Sequence, residues 1–138
     1  MNAAERRLFE RTRRGFLATA DDDGRPAAVP VCFAIVDGRP VTPVDEKPTD
    51  ADPLDLRRLR DVRANPAVCL TVDRYDEDWT NLAWAQLRGT GSVLEPPVDG
   101  HADALRALRA KYDQYEDHDL ETRPLIRIDP GHVVSWGL

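Results

Sequence analysis

Two Asp-Gly pairs, Asp23-Gly24 and Asp37-Gly38, constrain this chain more than any other feature, because each interrupts a run with strong β character. Asp-Gly is favoured in tight hairpins: glycine reaches positive φ without a Cβ clash, and aspartate tolerates it better than most residues. The flanking runs, Phe16–Ala20, Pro26–Val36 and Arg39–Val44, read as three consecutive strands. Pro26 and Pro30 lack a ladder donor, which suits a strand start and a bulge or open edge rather than a central strand.

The other segments follow from the same punctuation. Ala3 to Arg14 carries Leu8 and Phe9 among strong helix formers and reads as an amphipathic helix that Gly15 caps. Asp45–Pro53, with two prolines and four acids, reads as a loop. Asp52 or Asp55 then caps a helix through Leu56-Arg57-Arg58-Leu59-Arg60, which stops before Pro66. Ala67–Tyr75 and Leu82–Leu94 are strands, the second bent or bulged at Gly89 and Gly91. Pro96-Pro97 precedes a helix over Ala102–Tyr115, striped by Leu105, Leu108 and Tyr112. Leu125–Asp129 and His132–Trp136 close the chain as two strands around Pro130-Gly131. This order predicts a mainly β protein, an antiparallel barrel of six to seven strands with helices packed outside.

Composition narrows the function. The 138 residues, 41% hydrophobic and 32% charged, suit one globular domain over 1–138 with a real core. No apolar run approaches the ~20 residues of a membrane span, and the N-terminus lacks a secretory core, so the expected location is the cytoplasm. A net charge of −6 argues against a general nucleic-acid binder. Arg57, Arg58, Arg60 and Arg63 reverse that sign locally, and guanidinium groups grip phosphates and carboxylates in two-pronged fashion. Cys32 and Cys69 lie in apolar runs and read as reduced core fillers. His101, His118 and His132 match no metal spacing and are expected in loops or turns, and no metal site is expected. No glycine-rich phosphate loop and no Ser-His-Asp arrangement is evident.

Several motifs together carry a resemblance. They are Gly15-Phe16-Leu17-Ala18-Thr19, Asp23-Gly24-Arg25-Pro26, Pro30-Val31 with Phe33, Lys47, the Leu-Arg-Arg-Leu helix and Asn65-Pro66. In this order and spacing they resemble the pyridoxamine-phosphate-oxidase-like split barrel. Val44-Asp45-Glu46-Lys47-Pro48, the Asp73–Trp79 segment, Lys111-Tyr112 with Tyr115, and Ile128-Asp129-Pro130 leading to Ser135-Trp136 narrow it. With these, the chain is similar to the actinobacterial branch of deazaflavin-dependent oxidoreductases.

The resemblance implies a homodimer with a flat cofactor in a groove between the two copies. It implies coenzyme F420, with flavin mononucleotide (FMN) as the alternative and haem as an occasional ligand of the family. Lys47 stands where the family places a cation for the cofactor phosphate, and Arg57 and Arg58 extend that grip to the tail. Pro30, Val31 and Phe33 match the strand that lines the cofactor, and Thr42, beside Pro43, offers a hydroxyl to phosphate. Trp79 offers a ring for stacking or for covering the partner's groove, whereas Trp84 and Trp136 are assigned to packing. Tyr112 and Tyr115 either pack the last helix or present a hydroxyl near substrate. The expected activity is hydride transfer between reduced coenzyme F420 and a small, unsaturated, apolar substrate, with no catalytic residue named. An FMN-dependent oxidoreductase and a non-catalytic cofactor carrier are the alternatives. The absence of an Arg-x-His-type motif near the C-terminus argues against pyridoxamine-phosphate oxidation itself.

Overall fold

The computed structural model describes residues 1–44 and 56–138. Its elements are α1 (Ala3–Arg11), β1 (Gly15–Ala20), β2 (Pro26–Val31), β3 (Ala34–Val36), β4 (Arg39–Pro43), α2 (Arg57–Ala64), β5 (Ala67–Arg74), β6 (Ala83–Leu94), α3 (His101–Lys111) and β7 (Leu125–Trp136). Short 3₁₀ turns cover Trp79–Asn81 and Asp113–Glu116. The strands form one antiparallel sheet in the order β2-β1-β5-β6-β7-β4-β3.

The outer two strands of that order, β2 and β3, are separated in sequence only by Cys32 and Phe33. A chain that leaves one edge of a sheet and at once forms the other edge forces the sheet to curl round on itself. The result is the split-barrel architecture expected from the sequence. The interior holds Phe9, Leu17, Phe33, Leu70, Leu87, Ile126 and Ile128, and Leu59 and Val62 of α2 join the same cluster. A second cluster forms where Leu105 and Leu108 of α3 meet Val41, Leu94 and Leu125. No helix among the described residues is long and apolar enough to cross a membrane.

Both Asp-Gly turns occur. Asp37 and Gly38 take φ of 50° and 75° between Val36 and Arg39, which pair directly, as a two-residue hairpin with the twist of its strands requires. At the other turn Gly24 has φ of 80°, and the Asp21 carboxylate accepts from the backbone N–H groups of Asp23 and Arg25, at 3.0 and 2.8 Å.

Several boundaries differ from the sequence expectation. The run Pro26–Val36 is two strands, because Cys32 and Phe33 are diverted from ladder pairing: Thr42 Oγ1 donates to the Cys32 carbonyl at 2.8 Å, and the Phe33 N–H donates to the Tyr112 hydroxyl at 3.1 Å. α1 ends at Arg11 with Thr12 as its C-cap, and Gly15 opens β1 instead of capping the helix. Gly15 is there because a Cβ would lie 2.9 Å from Leu70 Cδ1. α2 has Leu56 as its N-cap residue, without a side-chain cap bond, and the expected caps Asp52 and Asp55 lie outside the described residues. α3 stops at Lys111, and Arg109 bonds the carbonyls of Tyr115 and His118 at 3.0 and 2.9 Å, which turns the chain back. Finally, the two expected C-terminal strands are one strand. A bulge opposite Arg88 and Gly89 absorbs Pro130-Gly131 without breaking the ladder.

Candidate functional site

The outer surface of the curled sheet carries a row of uncharged side chains. Pro30 on β2 pairs with Phe16 on β1, Phe16 with Thr71 on β5, Thr71 with Gln86 on β6, and Gln86 with Val134 on β7. Alternation along each strand puts this set outside and the core leucines inside. One step along, Asp73 pairs with Trp84 and Trp84 with Trp136, and these residues line a cleft of about 460 Å³ with Arg74, Tyr75, Leu82 and Ala83. Phe16 is 41%, Trp84 40% and Trp136 54% exposed. Trp84 and Trp136 are therefore surface aromatics, not the packing residues expected from the sequence: β6 and β7 alternate about buried Ala83, Ala85 and Leu87, and the tryptophans take the opposite face.

α2 supplies the cations beside this sheet. Its apolar face is seated by Val62, whose methyl carbons would lie 3.1 and 3.5 Å from a Cβ at Gly91. Asp61, buried on the same helix, accepts from Thr19 Oγ1 at 2.8 Å and from Arg57 Nε at 3.3 Å. The carboxylate thus ties α2 to β1 and holds the Arg57 guanidinium at a half-exposed position. Asn65 completes the clamp: its amide donates to the Asp21 carbonyl at 3.3 Å and its side-chain oxygen accepts from the Ala67 N–H at 3.2 Å. The Asn65-Pro66 motif therefore has a structural role, joining α2, the β1–β2 turn and β5, with the Gly91 N–H donating to the Pro66 carbonyl at 2.7 Å. Arg63 points elsewhere, to Glu95 Oε1 at 2.8 Å.

The expected site residues are distributed unevenly over this frame. Pro30 is exposed on the outer row, and Arg57 and Arg58 open α2. Val31 and Phe33 are buried in the barrel. The Phe33 ring packs edge-on against Phe9 at 6.2 Å and lies under the Lys111 ammonium at 3.9 Å. Its N–H and C=O both meet the Tyr112 hydroxyl, so neither ring nor peptide is open to a ligand. Thr42 is buried too, and its hydroxyl proton is committed to Cys32. Trp79 is 70% exposed and lies off the sheet, on a turn capped by Asp78. Lys47 lies outside the described residues.

Other sequence expectations are settled by the packing. Tyr112 and Tyr115 are buried packing residues, with the Tyr112 hydroxyl also 2.8 Å from the Arg13 carbonyl. His101 is not in a loop: it is buried at the first position of α3, 2.7 Å from the Arg123 carbonyl. His132 lies on β7. Both cysteines are free, and Cys69 belongs to the outer face of β5, not to the core. Asp61, Thr19 and the Trp84–Trp136 pair were not expected among the site residues. A buried carboxylate on a basic helix reads as an ordinary i,i+4 partner, which is all its spacing reveals.

Known proteins place this arrangement. The family model described as pyridoxamine 5'-phosphate oxidase matches residues 1–137. Among solved structures, the conserved hypothetical protein Rv2991 of Mycobacterium tuberculosis superposes with a TM-score of 0.79 at 21% identity, over 99% of this chain and 84% of that one. A heme binding protein of Mycobacterium smegmatis gives 0.77 at 22% identity, over 99% of this chain but only 55% of the other. HutZ, the heme storage protein of Vibrio cholerae, gives 0.71 at 15% identity, over 96% and 89%. No curated protein matches by sequence. At these identities the structural likeness carries the fold, and the matched family model carries the membership: the chain belongs to the pyridoxamine 5'-phosphate oxidase family.

Proposed function

We propose that this protein is a homodimeric oxidoreductase that binds the deazaflavin coenzyme F420 and serves hydride transfer with a small unsaturated substrate. The observation that supports it best is the pairing of a flat uncharged surface with an anchored arginine on one strand. Phe16 marks the outer row of β1, and Thr19 of the same strand, on its inner face, anchors the Asp61–Arg57 pair. A cofactor with a planar ring at one end and phosphate at the other calls for a flat uncharged surface and for guanidinium donors of this kind. Arg57 and Arg58, with Lys47 as the sequence-based third cation, would hold the phosphate and tail, and Pro30 and the outer row would meet the ring. When bound, the deazaflavin supplies the hydride chemistry, and the protein supplies position and electrostatics. Asp61 orients Arg57, and a second copy laid over the outer row excludes water from the ring.

FMN binding is the second reading within the same fold, since its single phosphate needs fewer cations. A non-catalytic carrier is the third, and the heme-binding and heme-storage names of two structural neighbours favour it. The deciding experiment is titration with coenzyme F420 and with FMN, read by tryptophan fluorescence, for which exposed Trp79, Trp84 and Trp136 are suitable reporters. Micromolar or tighter binding of coenzyme F420 alone is expected, weakened by about 2 kcal/mol in Arg57→Ala/Arg58→Ala. Preference for FMN moves the protein to the flavin reading. Binding without oxidation of reduced coenzyme by any unsaturated acceptor leaves the carrier, and binding of neither overturns the proposal.

A further inference from the structure

A cleft of about 640 Å³ lies between α1 and the end of β5, and arginines dominate its lining. Arg7 and Arg11 face it from successive turns of α1, Arg13 from the segment that leaves α1, and Arg74 from the last position of β5. Asp73 and Leu138 are also on its wall, and Ala4, Leu8 and Tyr75 give it an apolar side. Among the described residues no carboxylate reaches ion-pair distance of Arg7, Arg11 or Arg13, although the chain carries a net charge of −6. Arg74 uses its Nε on the Asn81 carbonyl at 2.7 Å, and Arg13 lies over the Tyr112 ring at 4.8 Å, which fixes both stems.

This concentration is costly for the protein alone. Two cations four residues apart on one helix repel each other, and Arg13 and Arg74 add to the same field. The helix C-terminus accounts for Arg11, whose charge offsets the free carbonyls of the last turn, but not for Arg7 one turn earlier or for Arg74 on another element. The cleft is also remote from the α2 cations. Val62 of α2 meets Val68 of β5 around Gly91, and Arg74 lies six residues further along β5, about 20 Å away.

We infer that this cleft is a binding site for a small phosphorylated anion, a phosphate ester or diphosphate, separate from the phosphate grip of Arg57 and Arg58. Four guanidinium groups from three directions offer more N–H donors than one planar carboxylate accepts, and they suit a tetrahedral group with three or more acceptor oxygens. The volume falls in the range of small-molecule pockets, and the Tyr75–Leu8 wall suits the organic part of an ester.

Calorimetric titration with inorganic pyrophosphate tests this on the unaltered chain, on Arg7→Gln/Arg11→Gln and Arg57→Gln/Arg58→Gln, and on the two variants combined. Arg7 and Arg11 are exposed helix positions, so the first variant keeps the fold, and Arg13→Gln provides a second variant off the helix. Saturable binding is expected for the unaltered chain and persists in the α2 variant, where the proposed cofactor grip is gone; in that background it is weakened roughly tenfold or more by Arg7→Gln/Arg11→Gln and in the same direction by Arg13→Gln. Absence of binding at millimolar pyrophosphate overturns the inference. So does binding that survives both cleft variants in the α2-variant background, or that is lost only with Arg57 and Arg58. Citrate binding without pyrophosphate binding overturns the phosphate assignment. Because the two sets of arginines are varied separately, failure here leaves the cofactor proposal standing.

Discussion

The Tyr112 hydroxyl joins three parts of the chain that are far apart in sequence. It accepts from the Phe33 N–H and faces the carbonyls of Phe33 and Arg13, at the point where β2 gives way to β3. Tyr112→Phe leaves a buried donor and two carbonyls short of a partner, and the expected loss of stability is about 2 kcal/mol, read by urea unfolding. Its neighbour Lys111 behaves differently. Burial first, and then the nearby Arg13 guanidinium, pushes the Lys111 ammonium down to about 8, with its Nζ over the Phe33 ring. Below that pH the folded state carries a charge that the unfolded chain keeps in water. Between about 8 and the ordinary 10.5 the unfolded chain holds more protons, so stability rises with pH. Burial raises Tyr112 to about 12, and that group acts in the opposite sense: its contribution is present below the ordinary 10.0 and is lost as pH climbs through 12. Melting temperature against pH should therefore rise above pH 8 and fall beyond pH 10. Lys111→Met should abolish the rise and leave the fall, and an unchanged rise in that variant would refute the assignment to Lys111.

Among the elements, the β6–β7 pair shows how one residue sets the course of a long ladder. At Gly89 a Cβ would run into the Asp129 carbonyl oxygen, a clash that nothing but a backbone shift relieves. The bulge lies at the same place, where Gly89 opposes Pro130 and Gly131 is left over. Gly89→Ala is expected to destabilise the protein by about 3 kcal/mol in thermal or urea unfolding, since the added atom meets backbone and not a movable side chain. Gly24→Ala meets no atom within 4 Å and carries only the cost of a positive φ, which makes it the matched comparison. α1 opens on a reciprocal cap that the sequence reading did not name. Asn2 Oδ1 accepts from the Glu5 N–H and Glu5 Oε2 accepts from the Asn2 N–H, both at 2.8 Å, and Ser135 Oγ donates to the same Glu5 carboxylate at 2.8 Å. These bonds, led by that from the Asn2 backbone, hold the Glu5 carboxyl below the ordinary carboxylate range.

For the molecule as a whole, the outer row and the Trp84–Trp136 pair belong to the proposed interface between two copies. Phe16→Glu with Trp136→Glu places charge on both ends of that face without touching the core. Sedimentation velocity should find twice the 15.5 kDa chain mass for the unaltered protein and the single mass for the variant, with association weakened at least about a hundredfold. A monomer in both cases would remove the second copy from the site. Most strands, the two Asp-Gly turns and the basic helix were legible in the residues, because hairpin chemistry and side-chain period act over a few positions. The break at Cys32–Phe33 was not, since it comes from bonds to Thr42 and Tyr112, ten and seventy-nine residues away from their partners. The expected site residues divide between surface and interior for the same reason. Arg57, Arg58 and Pro30 lie on surfaces that local pattern can expose, whereas Phe33 and Thr42 were drawn inside by contacts from other elements. The sequence by itself determined the alternation of faces and the places where the chain turns, through φ preference and side-chain period. Only the tertiary structure decided which face became core, which tryptophans met solvent and which carboxylate held Arg57, because burial depends on what the closing sheet brings opposite each residue.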